Sequence, residues 1–277
     1  ESMNIFNGKT AIVTGAGSGI GRSLAEELAR RGAHVVVSDI SPDRVQTVAA
    51  GILQSGGKAT AITLDVSQYE AVKKMIEDTV AAHGRIDYIF NNAGIAVGGP
   101  AKEFAIDDWR RVIDINLYGV VYGASVAFPI MARQGFGHII NPASIEGLVP
   151  FPGTSSYVAS KHGVVGLSTS LRIEGADLGV RVSVVCPGYI KTAIFTDSKM
   201  IKVNREKLMK SLPDWVGITP DECAKVILAG VERNQAFIVV TLFSKILLRL
   251  NRLSPALVMW RMKLVNRDSI RKGITQA

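Results

Sequence analysis

The feature that most narrows the fold is a strand-like run that ends in a glycine turn and passes directly into a helix. Thr10-Ala11-Ile12-Val13 is apolar and β-prone, Thr14-Gly15-Ala16-Gly17-Ser18-Gly19-Ile20-Gly21 is rich in glycine, and Arg22 to Arg31 carries Leu24, Ala25 and Leu28 at helical spacing. Residues without side chains let backbone N–H groups and a helix N-terminus approach an anion, so this order suits a pyrophosphate held by Gly15, Ser18, Gly19, Ile20 and Gly21. The spacing is G-x-x-x-G-x-G rather than the commoner G-x-G-x-x-G, and a plain glycine turn is the competing reading. A second run, Ala33 to Ser38, ends at Asp39, where a dinucleotide fold places the acid that binds the adenosine ribose. That carboxylate favours NAD and repels a 2′-phosphate, while Arg22 and Arg44 lie close enough in sequence to leave NADP as the alternative. Asp39 as a simple turn former at a strand end is the structural reading.

Alternation continues along the chain. Strands are expected near 9–14, 34–38, 58–64, 86–91, 137–143, 180–186 and 236–240, with amphipathic helices between them. Unbroken apolar runs such as Val35-Val36-Val37 and Val182-Ser183-Val184-Val185 need cover on both faces, which points to an α/β, doubly wound parallel sheet of about seven strands in a single Rossmann-type domain. Its ligand crevice lies beyond the carboxyl ends of the strands. The length of 277 residues suits one such domain, and residues 1–244 are assigned to it.

Tyr157 and Lys161 stand four residues apart in Ser-Ser-Tyr-Val-Ala-Ser-Lys, with Ser144 thirteen residues upstream. On a helix these two positions share a face, so the ammonium would favour the ionised phenol. A free phenol titrates near pH ~10, and proton transfer near neutrality needs such a neighbour. The spacing alone is equally that of an ordinary exposed pair.

Taken with the glycine turn, these residues make the chain resemble a single-domain short-chain dehydrogenase/reductase from roughly Asn7 to Val240. The resemblance also rests on Asp65, Asn91-Asn92-Ala93-Gly94, Asn116 and Pro187-Gly188-Tyr189-Ile190-Lys191-Thr192. It implies NAD-dependent hydride transfer between a nicotinamide and a secondary alcohol or ketone, with Tyr157 moving the proton and Ser144 orienting the oxygen. It further implies that Lys161 binds the nicotinamide ribose, and that Asn116 holds a water linking the lysine to solvent. Asp65, Val66, Asn92, Ala93, Gly94, Pro187, Gly188, Ile190 and Thr192 join the cofactor set by the same resemblance. It makes the uncharged stretch Ile115 to Ala132 a buried helix rather than a membrane span, and it implies a homodimer or homotetramer paired through helices near 108–133 and 157–178. An NADPH-preferring carbonyl reductase and a non-catalytic nucleotide-binding module are the other readings.

Two departures stand out. Asn141-Pro142-Ala143 replaces the usual second serine before Ser144, a change that leaves the trio untouched in this reading, and Glu146 occupies a position commonly small in the family. An unpaired acid is placed toward solvent first, with contact to a polar substrate group as the other course. The variable loops Ile145 to Ser156 and Thr192 to Pro213 are mostly apolar, so Ile145, Glu146, Phe151, Tyr189 and Phe195 are assigned to a small-molecule substrate of bulky steroid, retinoid or long-chain type, with the second loop as lid.

Net charge is +8, yet residues 245–277 hold eight basic residues against one acid, Asp268. A globally basic, nucleic-acid-binding surface is therefore not indicated. This extension reads as a basic amphipathic helix pair interrupted at Ser254-Pro255, suited to a membrane surface, a partner subunit or its own domain. Cys186 and Cys223 show neither a disulfide framework nor metal spacing, His34, His83, His138 and His162 are scattered, and no metal site is expected. Glu1-Ser2-Met3 lacks the apolar run of a secretory signal. The expected location is cytoplasmic, with membrane association through 245–277 as an extension of that reading.

Overall fold

The computed structural model describes residues 4–192, 194–211 and 217–276; the side chains of Phe195 and Thr196 also lie outside it. Strand β1 (Thr10–Thr14) leads through the glycine turn into α1 (Gly19–Arg30), and β2 (His34–Asp39), α2 (Pro42–Gln54), β3 (Lys58–Thr63) and α3 (Tyr69–His83) repeat the alternation. Then come β4 (Tyr88–Phe90), a two-residue β5 (Val97–Gly98), α4 (Ile106–Ile113), α5 (Gly119–Gln134), β6 (Gly137–Pro142), α6 (Ser155–Gly175) and β7 (Val180–Cys186). Short α7 (Ile194–Asp197), β8 (Lys199–Met200) and α8 (Arg205–Ser211) precede α9 (Pro220–Glu232), β9 (Phe237–Val239), α10 (Leu242–Leu253) and α11 (Pro255–Arg271).

Seven strands form one parallel sheet in the order β3-β2-β1-β4-β6-β7-β9. The two-residue period of a strand sends alternate residues to opposite faces, and both faces are filled. Ala11, Val13, Val35, Val37, Phe90 and Ile140 pack with α1, α2 and α9, whereas Ile12, Val36, Ile89 and Ile139 pack with α3 and α5. Each such fully buried isoleucine or valine contributes about 2 kcal/mol of transfer free energy. This is the doubly wound α/β domain that the apolar runs require. The central strand β4 is three residues long against the six expected, although the Asp87 backbone still bonds the Thr10 carbonyl and the His138 N–H on either side, and its side chain accepts from the Thr10 N–H at 3.0 Å.

Helix boundaries follow local chemistry. Ser41 caps α2 by accepting from the Arg44 N–H, with Pro42 at the first helical position, and Thr219 with Glu222 forms a capping box for α9. Glycines at positive φ, Gly84 and Gly135, end α3 and α5. Residues Ile106–Gln134 run as one helix, long and apolar enough by composition to cross a membrane. Here Val120, Ala124, Ala127 and Met131 are buried against the sheet instead. A π-helical turn at Asp114–Tyr118 joins α4 to α5.

A boundary at residue 244/245 would cut α10 after its first turn, because Thr241 caps that helix. The extension is fastened to the domain. Leu247, Leu248 and Val258 share an apolar cluster with Ile145 and Val149, and the chain end at Ile274 and Gln276 hydrogen-bonds Asn204 and Lys202.

Behind the sheet edge runs a buried polar ladder: Asn91 Nδ2 donates to Asn141 Oδ1 at 2.8 Å, and Asn141 Nδ2 to Ser168 Oγ at 3.0 Å. Gly123 of α5 lies directly over Asn91 Oδ1, where a Cβ has no room. Gly123→Ala is expected to lower stability by about 2 kcal/mol through overpacking and loss of that bond; an unchanged denaturant midpoint would contradict the packing described.

Candidate active site

Chain order and spatial order part company between β1 and β4, which are neighbours although β2 and β3 intervene in sequence. The crevice at this reversal is where an α/β sheet receives its ligand. Thr14 stitches the two strand ends together: its hydroxyl accepts from the Ala93 N–H at 3.1 Å, and its carbonyl accepts from Asn92 Nδ2 at 3.0 Å. Gly15, at φ 63°, passes so close to Ala93 that a Cβ would sit 2.8 Å from the Ala93 Cα. Gly21 faces the Gly15 carbonyl with no room for a side chain. At the start of α1, Ser18 makes no side-chain cap bond and the first turn holds no acid, an arrangement that suits an anion. Thr192 closes on Gly19 from the opposite side.

Asp39 is fixed rather than loose. Its carboxylate accepts from the Gly17 N–H and the Ser41 N–H, both at 3.0 Å. Arg22 is turned along α1 to Glu26 at 2.8 Å. Arg44 differs, since its Cβ borders Gly17 beside Asp39 while its guanidinium reaches toward Asp197 at 3.9 Å. Asp65 accepts from the Ser67 amide and hydroxyl, and Val66 packs on Gly119.

Ser144 is held from both sides: the Ala143 N–H donates to the Val185 carbonyl at 2.7 Å and the Ile145 N–H to the Pro187 carbonyl at 2.8 Å. Gly147 then lets this loop touch α6, where a Cβ would lie 2.7 Å from the Lys161 carbonyl. Ser144, Tyr157 and Lys161 converge there, the Lys161 Nζ 5.5 Å from the Tyr157 ring centre. Lys161 donates to the Pro142 carbonyl at 2.8 Å, a backbone contact that any residue at this position would offer. Ser144 Oγ accepts from the Glu146 N–H at 3.1 Å, which leaves its own proton to donate.

The electrostatics correct two expectations. Burial pushes the Tyr157 phenol above its ordinary range, Glu146 adds to that shift, and the bond with Ser144 opposes it; burial outweighs any help from Lys161. Lys161 is itself pulled down to about 8 by burial, against the nearby Cys186 and Glu146. Glu146 is only partly exposed and its carboxyl is turned inward: its Oε2 accepts from Thr154 Oγ1 at 2.6 Å, and burial lifts the carboxyl to about 7 against the opposing pull of Thr154 and Lys161. Burial raises Cys186 behind them to about 12, against the pull of Lys161, and so favours its neutral thiol.

Asn116, fully buried in the π-turn, uses its side chain to hold the chain at Ile95: Oδ1 accepts from the Ile95 N–H and Nδ2 donates to the Ile95 carbonyl, both at 2.8 Å, with Ser160 Oγ at 3.3 Å. Its Oδ1 and the Lys161 Nζ nevertheless both border Gly94. Gly188 packs on Thr241 and Ser244 at the start of α10, and Ile190 bridges to Ile218. Of the substrate assignments, Ile145 is buried against α10 and α11 and offers no free face, because the C-terminal helices take it. Phe151 lines a surface hollow of about 510 Å³ with Leu148, His162 and Met259. Tyr189 packs over Gly217, and the Phe195 side chain lies outside the described residues. The segment 199–202 is held to residues 97–108 by the β5–β8 pair and by Lys199–Asp108 and Lys202–Glu103 contacts at 2.6 and 3.1 Å.

The profile of the family described as short chain dehydrogenase matches residues 9–201. The chain belongs to that family. It is 44% identical over 205 residues to cyclohexanol dehydrogenase of Acinetobacter sp. (strain SE19), covering 73% of this chain and 82% of that protein. Meso-2,3-butanediol dehydrogenase of Serratia marcescens is 38% identical over 187 residues, 68% of this chain and 73% of that protein. A short chain dehydrogenase/reductase from Burkholderia phymatum, crystallised in complex with NAD, superposes with a TM-score of 0.84 at 28% identity, over 91% of this chain and 95% of that one. This short-chain dehydrogenase is therefore an oxidoreductase.

Sequence reasoning missed Thr14, Asn141, Thr154 and Ser160. Thr154 had the most misleading signal: it stands at the N-cap of α6, yet makes no cap bond and gives its hydroxyl to Glu146. A carboxyl whose folded-state pKa lies above its unfolded value binds more protons when folded, so it stabilises at low pH and that contribution fades as pH rises from 4.5 through about 7. Glu146→Gln should therefore raise Tm relative to the parent above pH 7, with the advantage shrinking toward pH 4.5 in parallel melting curves.

Proposed function

We propose that this enzyme is an NAD-dependent alcohol dehydrogenase that interconverts a bulky apolar secondary alcohol and its ketone. The observation that carries the reading is the convergence of Ser144, Tyr157 and Lys161 beside a crevice whose opposite wall holds Asp39 at the glycine turn. The close-fitting Gly15 and Gly21 and the uncapped start of α1 fit a dinucleotide pyrophosphate, and Asp39 would accept from the adenosine ribose hydroxyls. What the cofactor supplies when bound is the hydride acceptor or donor and, when oxidised, a positive ring beside the phenol.

In oxidation the ionised form of Tyr157, which the positive ring of a bound oxidised cofactor would favour, would take the proton from the substrate hydroxyl as hydride passes from the adjoining carbon to that cofactor; in reduction the neutral phenol would give its proton to the carbonyl oxygen. Ser144, with its lone pair occupied by the Glu146 N–H, donates to the same oxygen and stabilises its charge. Lys161, held by Pro142, keeps positive charge beside the phenol and the cofactor ribose. Asn116 fixes Ile95 and borders Gly94 next to Lys161, residues that would help hold the cofactor. The preference for a ring or long chain over a small polar alcohol rests on the apolar content of the two variable loops, Leu148, Phe151 and Met200 among it, and on the name of the cyclohexanol dehydrogenase relative.

The second reading, preference for NADPH, is favoured by the place of Arg44 beside Gly17. Pairing into a homodimer or homotetramer through α5 and α6 is supported by outward apolar residues such as Tyr118 and Ile173. The same reading takes the enzyme as cytoplasmic, acting on a small molecule.

Tyr157→Phe is expected to lower kcat on the order of a thousandfold while NADH still binds, as read by cofactor fluorescence; a variant that keeps most of its turnover would defeat the mechanism. Asp39→Ala should weaken kcat/KM with NAD roughly tenfold or more, and narrow the preference over NADP, in steady-state assays with both cofactors.

A further inference from the structure

The C-terminal helix pair has two unlike sides. On α10, Ser244, Leu247 and Leu248 are buried, and Asn251 Nδ2 donates to the Leu148 carbonyl at 3.1 Å, so this side is docked on the loop that follows Ser144. Opposite them, Leu242, Ile246, Leu250 and Leu253 recur at helical spacing and face solvent, Leu242 at 72% and Leu253 at 83% exposure. Lys245, Arg249 and Arg252 line one edge of that stripe. Helix α11 repeats the division: Val258 is buried, whereas Leu257 and Trp260 stand out, Trp260 at 57%, near Arg261, Arg267 and Arg271 in helical order.

We infer that the outer faces of α10 and α11 form a docking surface for an anionic lipid bilayer. Exposed apolar residues on a soluble protein are ordinarily scattered, and a continuous stripe marks a surface meant to be covered. Charge decides what covers it. Eight basic residues against Asp268 concentrate nearly all of the chain's excess positive charge on residues 245–277. Two copies of this face would bring like charges together, whereas an anionic leaflet neutralises them and each lysine or arginine near it raises partitioning on the order of fivefold. Long basic side chains at the edge of an apolar stripe place their heads among phosphates as the stripe enters the acyl boundary, and an indole suits that interface. The inner side of the same helices holds Ile145 and Val149, so a docked bilayer would lie close to the substrate loop.

Flotation of the full chain with phosphatidylcholine vesicles, with and without phosphatidylglycerol, tests the surface without reference to turnover, so its outcome is separate from that of the proposed reaction. Binding is expected with phosphatidylglycerol, roughly tenfold or more weaker without it, and weakened by salt. Ile246→Glu with Leu250→Glu should abolish it at an unchanged Tm, and Arg249→Glu with Arg252→Glu should weaken it by a comparable factor while leaving the apolar stripe intact. Absence of flotation with anionic vesicles, or equal binding by both double variants and the parent, overturns the inference. So does a parent oligomer that binds no lipid and that Ile246→Glu dissociates, since a second copy would then be the occupant.

Discussion

Close backbone approach along the carboxyl edge of the sheet is the constraint on which the rest of this structure depends. Gly15 against Ala93 joins the two strands that flank the reversal, and Gly147 against the Lys161 carbonyl brings the Ser144 loop onto α6. Neither junction tolerates a Cβ. Together they bring the glycine turn and the Ser144–Tyr157–Lys161 cluster to the same edge of the sheet, from parts of the chain more than a hundred residues apart. The strands contribute rigidity, and the glycines let the loops exploit it.

The site carries an unusual amount of buried ionisable chemistry for its size. Tyr157, Lys161, Glu146 and Cys186 influence one another, and burial shifts each toward its neutral form. A carboxyl and an ammonium whose proton affinities have been drawn together sit on either side of the phenol's electrostatic surroundings. Positive charge brought into the crevice would oppose the upward shifts of Tyr157, Glu146 and Cys186 and reinforce the downward shift of Lys161, which makes the site's protonation responsive to what it binds.

Much of this was legible in the sequence because it is local. The alternating apolar runs set the sheet, the glycine spacing set the turn, and the offset of four set Tyr157 beside Lys161 on α6. What could not be read depends on partners distant in the chain. Glu146 looked like a surface acid until Thr154 turned inward to meet it, and Ile145 looked available until α10 covered it. Lys161 is held by the backbone carbonyl at Pro142, an atom that no side-chain pattern announces. Asn116 lies in a wide turn that no periodicity argument detects.

That wide turn sets the rotational phase of the longest helix. An ordinary α-helix advances about 100° per residue, and the π-turn at Asp114–Tyr118 inserts one residue's worth of winding between α4 and α5. Excising a single residue there would leave two regular helices whose inward sides no longer agree, so either Val112 or the row from Val120 to Met131 would have to leave the interior. The fold thus accepts a poorer local geometry because it lets one continuous rod serve two differently oriented seats, with Asn116 at the joint between them.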